Sequence, residues 1–173
     1  MASTRTPPRP PSTAARRLVL PFAPYMLVAI VHVVALAAGA SAIAGPTKLL
    51  LMPLLAVGVA TTLRGATPRA PAILLFVAIA LSWLGDGAGT FFPFAPTVPM
   101  MLLCFGLAHI AYIVLFWHFL ARRPVPPWTI VYAVWWGALL AVLWPHLGPL
   151  LIPVALYGLV LGGTAVAASR GAR

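Results

Sequence analysis

The chain has 173 residues, 62% of them hydrophobic and 7% charged, with a formal net charge of +10 at pH 7. A soluble domain of this size carries about 25% charged residues, so a water-soluble fold is excluded and the chain reads as a one-domain integral membrane protein. Its basic residues are ten Arg and Lys48, the Arg all in tails and loops without interleaved aromatics. That pattern excludes a nucleic-acid surface and marks membrane topology instead.

Residues 1–17 are rich in Pro, Ser, Thr and Arg and lack an apolar pattern, so they read as a disordered cytoplasmic tail. Six apolar spans follow, at about 18–40, 46–63, 70–92, 100–121, 128–144 and 150–168. Each approaches the roughly 20 residues that cross a bilayer. Ala40-Ser41-Ala42 has the look of a signal-peptidase site, but the run before it is longer than the roughly 7–15 residues of a signal core, so it reads as a retained span. Pro53 is expected to kink the second span, which a membrane helix tolerates. The Pro-rich run 93–99 and the turn 145–149 break the chain, and Trp128 and Trp144 suit the headgroup belts. Residues 170–173 form a short second tail.

Charge fixes orientation. Arg5, Arg9, Arg16 and Arg17 precede the first span; Arg64 and Arg69 follow the second; Arg122 and Arg123 follow the fourth; Arg170 and Arg173 follow the sixth. The intervening loops hold no Lys or Arg. The expected fold is therefore an all-α polytopic transmembrane bundle in the cell membrane, with both termini cytoplasmic.

Orientation fixes depth. At about 1.5 Å per residue from the inner face, His32 lies about 21 Å up, Lys48 and Asp86 about 22 Å, and His109 about 18 Å, with Tyr112 one turn lower on the same face. The ionisable residues of the first four spans thus share one layer. Asp86 is the only acid in the chain, and a carboxylate is the costliest group to place there. Each residue also has a plainer reading. Lys48 snorkels to the interface from a helix end, His32 and His109 are satisfied buried histidines, Tyr112 packs, and Asp86 pairs structurally with Lys48. Taken together they describe a proton-handling pocket. His118 and His146 read as interfacial. No three His, Cys or Glu have zinc-ligand spacing, so no metal and no cofactor is expected. Cys104 is alone, no nucleophile elbow or phosphate loop is present, and acid–base chemistry by Asp86 is the catalytic option that remains.

Three stretches carry a resemblance: residues 47–55 (Thr47-Lys48-Leu49 to Leu55), Ser82-Trp83-Leu84-Gly85-Asp86, and residues 105–112 from Phe105-Gly106 to Tyr112. In order, spacing and placement on the second, third and fourth spans, they resemble the YhhN or lysoplasmalogenase-like family, over about residues 25–168. The resemblance implies hydrolysis of the vinyl-ether bond of a lysophospholipid, releasing a fatty aldehyde. It places Lys48, Asp86, His109 and Tyr112 on motif positions. Asp86 would be the acid, His109 with Tyr112 would orient water, and Lys48, with His32 nearby, would bind the headgroup. Members usually have eight helices, with a second aspartate in the added part; this sequence has six spans and one carboxylate. The shorter bundle is expected to pair as a homodimer through small residues such as Gly158, Gly162 and Gly163. The rival reading is a non-enzymatic lipid-binding or small proton-linked membrane protein, with Asp86 and Lys48 as a structural pair.

Reporters fused at the N-terminus, at residue 124 and at the C-terminus should all read cytoplasmic. One external reading among the three would remove the common depth of the polar layer.

Overall fold

The computed structural model describes residues 19–65, 68–120 and 123–171. The tail expected over residues 1–17 lies outside the described residues, as do Arg122 and Arg173. The fold is all-helical. Six long helices are α1 (Ala23–Ala37), α2 (Ser41–Thr62), α3 (Arg69–Asp86), α4 (Thr97–Phe119), α5 (Ile130–Leu147) and α6 (Leu151–Ser169). They group into two compact units that divide between Arg64 and Gly65.

The N-terminal unit is a helical hairpin. Gly39 takes φ +67°, which only glycine adopts cheaply, and the Ala40 N–H reaches back to the Ala35 carbonyl at 2.8 Å. This left-handed cap ends α1 and starts α2 at Ser41. The second span was expected to begin at Pro46. Instead the helix runs through both Pro46 and Pro53, which a membrane helix accommodates because the freed carbonyls find other partners. Phe22 lies so close to Gly58 that a Cβ there would meet the ring at 2.6 Å.

In the C-terminal unit, proline sits third in α3 (Pro71), α4 (Pro99) and α6 (Pro153). The first turn has no intrahelical acceptors for its N–H groups, so proline costs nothing there. That is why α4 starts at Thr97, inside the Pro-rich run 93–99, rather than after it at residue 100. Pro145 likewise falls inside the last turn of α5, and the reversal is made at Gly148, with φ +47°. The expected third span, 70–92, is interrupted: α3 ends at Asp86, and a single turn, Ala88–Phe91, follows Gly87.

Packing in this unit is by small residues. Ala78, Ser82 and Gly85 on α3 and Cys104, Ala108 and Ala111 on α4 are buried. Each set recurs at i, i+4 and i+7, so each forms one stripe. α4 also packs on α6, where Gly163 faces Ile113, and α6 packs on α5, where Trp136 covers Gly158. α4 is therefore the central helix, with α3 on one side and the α5–α6 hairpin on the other. Gly158 and Gly163, expected to admit a second copy of the chain, are occupied from within it.

Ala78 and Ala108 are fully buried, whereas Val142 and Ile152 stay 70% exposed. Small residues inside and large apolar ones outside suit lipid as the solvent. Among the described residues, five stretches are long and apolar enough to cross a membrane, the last being Pro127–Ser169, which folds back on itself at Gly148. The molecule is a helical membrane bundle.

A Cβ at Gly158 would stand 2.5 Å from the Trp136 ring, while one at Gly162 would meet nothing within 4 Å. Gly158→Ala should therefore destabilise the protein by about 1–3 kcal/mol, seen as a lower melting temperature in detergent. Gly162→Ala should leave it near wild type. Equal effects would disprove the intrachain role of Gly158.

Candidate functional site

Phe105, His109 and Tyr112 follow at i, i+4 and i+7, so they share one stripe of α4. Two of the three face α3. A Cβ at Gly85 would lie 3.1 Å from the Phe105 ring, and Ser82 is within side-chain hydrogen-bonding reach of the Tyr112 hydroxyl. Asp86 lies one turn beyond Ser82 on α3, half-buried, at the level of Phe105. It is the last residue of its helix.

His109 is half-buried between its neighbours. Its ring meets Tyr112 edge-on with centroids 6.2 Å apart, and Tyr157 of α6 edge-on at 5.7 Å. Its Nδ1 lies 2.7 Å from the Phe105 carbonyl. A carbonyl only accepts, so Nδ1–H donates, and in the neutral ring Nε2 carries the lone pair. The Thr164 hydroxyl on α6 donates to the Val160 carbonyl at 3.0 Å and lies 3.3 Å from the His109 carbonyl. α3, α4 and α6 thus converge around His109 and Tyr112.

A groove of about 350 Å³ opens beside this cluster. Leu103, Gly106, Leu107, Leu156 and Tyr157 are among its walls. It is almost wholly apolar, and it shares Tyr157 with the surroundings of His109.

The other two expected residues, His32 and Lys48, come together in the N-terminal unit. They line one cavity of about 510 Å³ between α1 and α2, with Ser41 and Gly45. The Thr47 hydroxyl lies 2.6 Å from the Ile43 carbonyl and 3.0 Å from His32 Nδ1. Its single proton goes to the carbonyl, so His32 Nδ1–H is the donor in their contact. Among the described residues, no three His, Cys, Asp or Glu gather to hold a metal ion.

The reading from sequence missed Thr47, Tyr157 and Thr164 as site residues. Thr47 stands within the first motif, beside Lys48. Tyr157 and Thr164 are seven residues apart, two turns on one face, in a span otherwise almost without hydrogen-bonding side chains. That spacing was the available signal.

A ¹⁵N-histidine spectrum, assigned with single His→Gln variants, should show His32 and His109 as Nδ1–H tautomers. An Nε2–H signal for His109 would take away its lone pair at Nε2 and with it any role as a base.

No curated protein and no solved structure matches the chain. The YhhN family model matches residues 43–173, which include α2 from Ile43 onward and all of α3 through α6, with Lys48, Asp86, His109 and Tyr112. This helical membrane protein therefore belongs to the YhhN family.

Proposed function

We propose that the protein is a lysoplasmalogenase-like hydrolase of the cell membrane, cleaving the vinyl-ether bond of a lysophospholipid by acid–base chemistry. The observation that carries this reading is His109, whose Nδ1–H is engaged by the Phe105 carbonyl so that Nε2 is the basic nitrogen. The apolar groove that shares Tyr157 with it would take the alkenyl chain.

The proton balance closes with two groups. Asp86, as the neutral acid, protonates the alkene carbon and leaves an oxocarbenium ion. Water adds to that ion while Nε2 of His109 removes a proton, giving a hemiacetal; Tyr112 orients the water. The hemiacetal hydroxyl then returns its proton to the Asp86 carboxylate as the carbon–oxygen bond breaks. The imidazolium protonates the departing alkoxide, so the aldehyde and the glycerophospho headgroup leave with both residues restored.

The test is a panel of lysolipids given to the purified protein, with aldehyde detection. Only vinyl-ether substrates should yield aldehyde. Asp86→Asn should abolish turnover with the melting temperature preserved. His109→Gln should lower the rate about 10²- to 10⁴-fold, the usual worth of general-base help. No aldehyde from any vinyl-ether lipid, or full turnover by Asp86→Asn, would refute the reading.

A further inference from the structure

Arg170 follows α6 directly, at the end of the C-terminal unit remote from Asp86. Two contacts hold its side chain. Its Nε donates to the Arg123 carbonyl at 2.8 Å, and its guanidinium lies 4.0 Å above the Trp117 ring centre. One of its nitrogens, Nη1, is buried and has no hydrogen-bond partner among the described residues. Arg170 and Arg123 line a cavity of about 500 Å³, with Pro124, Val125, Pro126, Pro127 and Ser169.

A buried guanidinium donor with nothing to donate to is unfavourable, and the chain has little with which to satisfy it. Asp86 is the only acidic side chain in the sequence. It sits at the level of Phe105, twelve residues of α4 from Trp117, or about 18 Å at the helical rise. The ion pair that Arg170 needs is therefore not available from a side chain of this unit. A planar guanidinium stacked on an aromatic ring, with its Nε held by a carbonyl, on a residue that lines a cavity beside a second arginine, is preorganised for a phosphate. Its position at the helix ends, on the Arg-rich side of the membrane, puts it at headgroup depth, where anionic lipids gather against basic residues.

We propose that Arg170 and Arg123, seated over Trp117, bind the phosphate of an anionic lipid headgroup in this cavity. The site is separate from the cluster around His109, and it stands whether or not the chain is a hydrolase. Proline on one wall keeps that wall poor in N–H groups, so the two guanidiniums supply the donors. The acyl chains of the lipid would lie along the exposed apolar sides of the helices.

The test uses the full chain, purified in a neutral detergent, with thermal unfolding followed while lipid is added. Phosphatidylglycerol should raise the melting temperature in a saturable way, and phosphatidylcholine with the same acyl chains should not. Arg170→Gln should weaken the apparent affinity about 10- to 100-fold, the range expected for a lost charge-assisted contact. Arg123→Gln keeps the carbonyl that holds Arg170 and should weaken it less, about 3- to 10-fold. Arg170→Lys keeps the charge without the fork and should resemble Arg170→Gln; with Arg123→Gln it decides the matter if Arg170→Gln fails to fold. Arg69→Gln, which removes an exposed charge from the same unit, should change nothing. Equal stabilisation by the two lipids, or equal loss with Arg69→Gln and Arg170→Gln, would overturn the site. Inorganic phosphate alone should act only at far higher concentration; saturation by phosphate at the lipid's concentration would overturn the lipid assignment.

Discussion

Gly85 has no side chain, and a Cβ in its place would stand 3.1 Å from the Phe105 ring. Helices in lipid gain nothing from leaving water, because the tails are as apolar as their own side chains. What holds α3 to α4 is close contact, and close contact needs small residues along both stripes. The glycine admits the Phe105 ring, and the ring and its backbone take a fixed place against α3. The Phe105 carbonyl then fixes one nitrogen of His109, and with it the identity of the basic nitrogen. A packing constraint on an apolar seam thus becomes a chemical property one helical turn away.

That chain of consequence was legible in the sequence only at its two ends. Six apolar runs separated by Arg and Pro gave the all-helical membrane fold, because length and hydropathy suffice for a helix that must satisfy its own backbone in lipid. Helix ends were harder. Proline reads as a breaker, yet Pro71, Pro99 and Pro153 lie inside first turns, where no hydrogen bond is forfeited. Gly87 reads as one more apolar position, yet α3 ends beside it. His109 and Tyr112 were found together because three residues on a helix are neighbours. Tyr157 was not, since its meeting with His109 depends on how α6 packs against α4, which periodicity within one span does not contain. The glycines of α6 show the same limit: small residues announce close approach but do not say to what.

With one carboxylate in the chain, polar hydrogens have few side-chain acceptors, and they are directed to backbone carbonyls. Thr47 donates to Ile43, Thr61 to Gly58, Thr62 to Val59, Thr164 to Val160, and Ser169 to Ala165. Each is a bond within one helical turn, so it demands no second helix and survives burial in lipid. His109 and Arg170 extend the pattern, the first to its own helix and the second to the Arg123 carbonyl across the end of the unit. The carbonyls take one hydrogen from each and set its orientation. Nε2 of His109 and the buried Nη1 of Arg170 are among the nitrogens that the backbone does not use.

This division bears on how a lone acid can work in so apolar a place. A bare charge in lipid is costly, while opposite charges held together are far less so. In the proposed cycle Asp86 becomes a carboxylate only as the substrate becomes an oxocarbenium ion, and the pair is neutral overall. When water adds and the ion disappears, the positive charge passes to the His109 imidazolium, and the sum is again zero. Collapse of the hemiacetal discharges both residues at once. No step leaves an uncompensated charge in the bundle, so the low dielectric that makes a single aspartate expensive favours the paired states through which this reaction would pass. A second carboxylate acting as the base would instead begin the cycle as an anion, and that anion would need a fixed cation beside it.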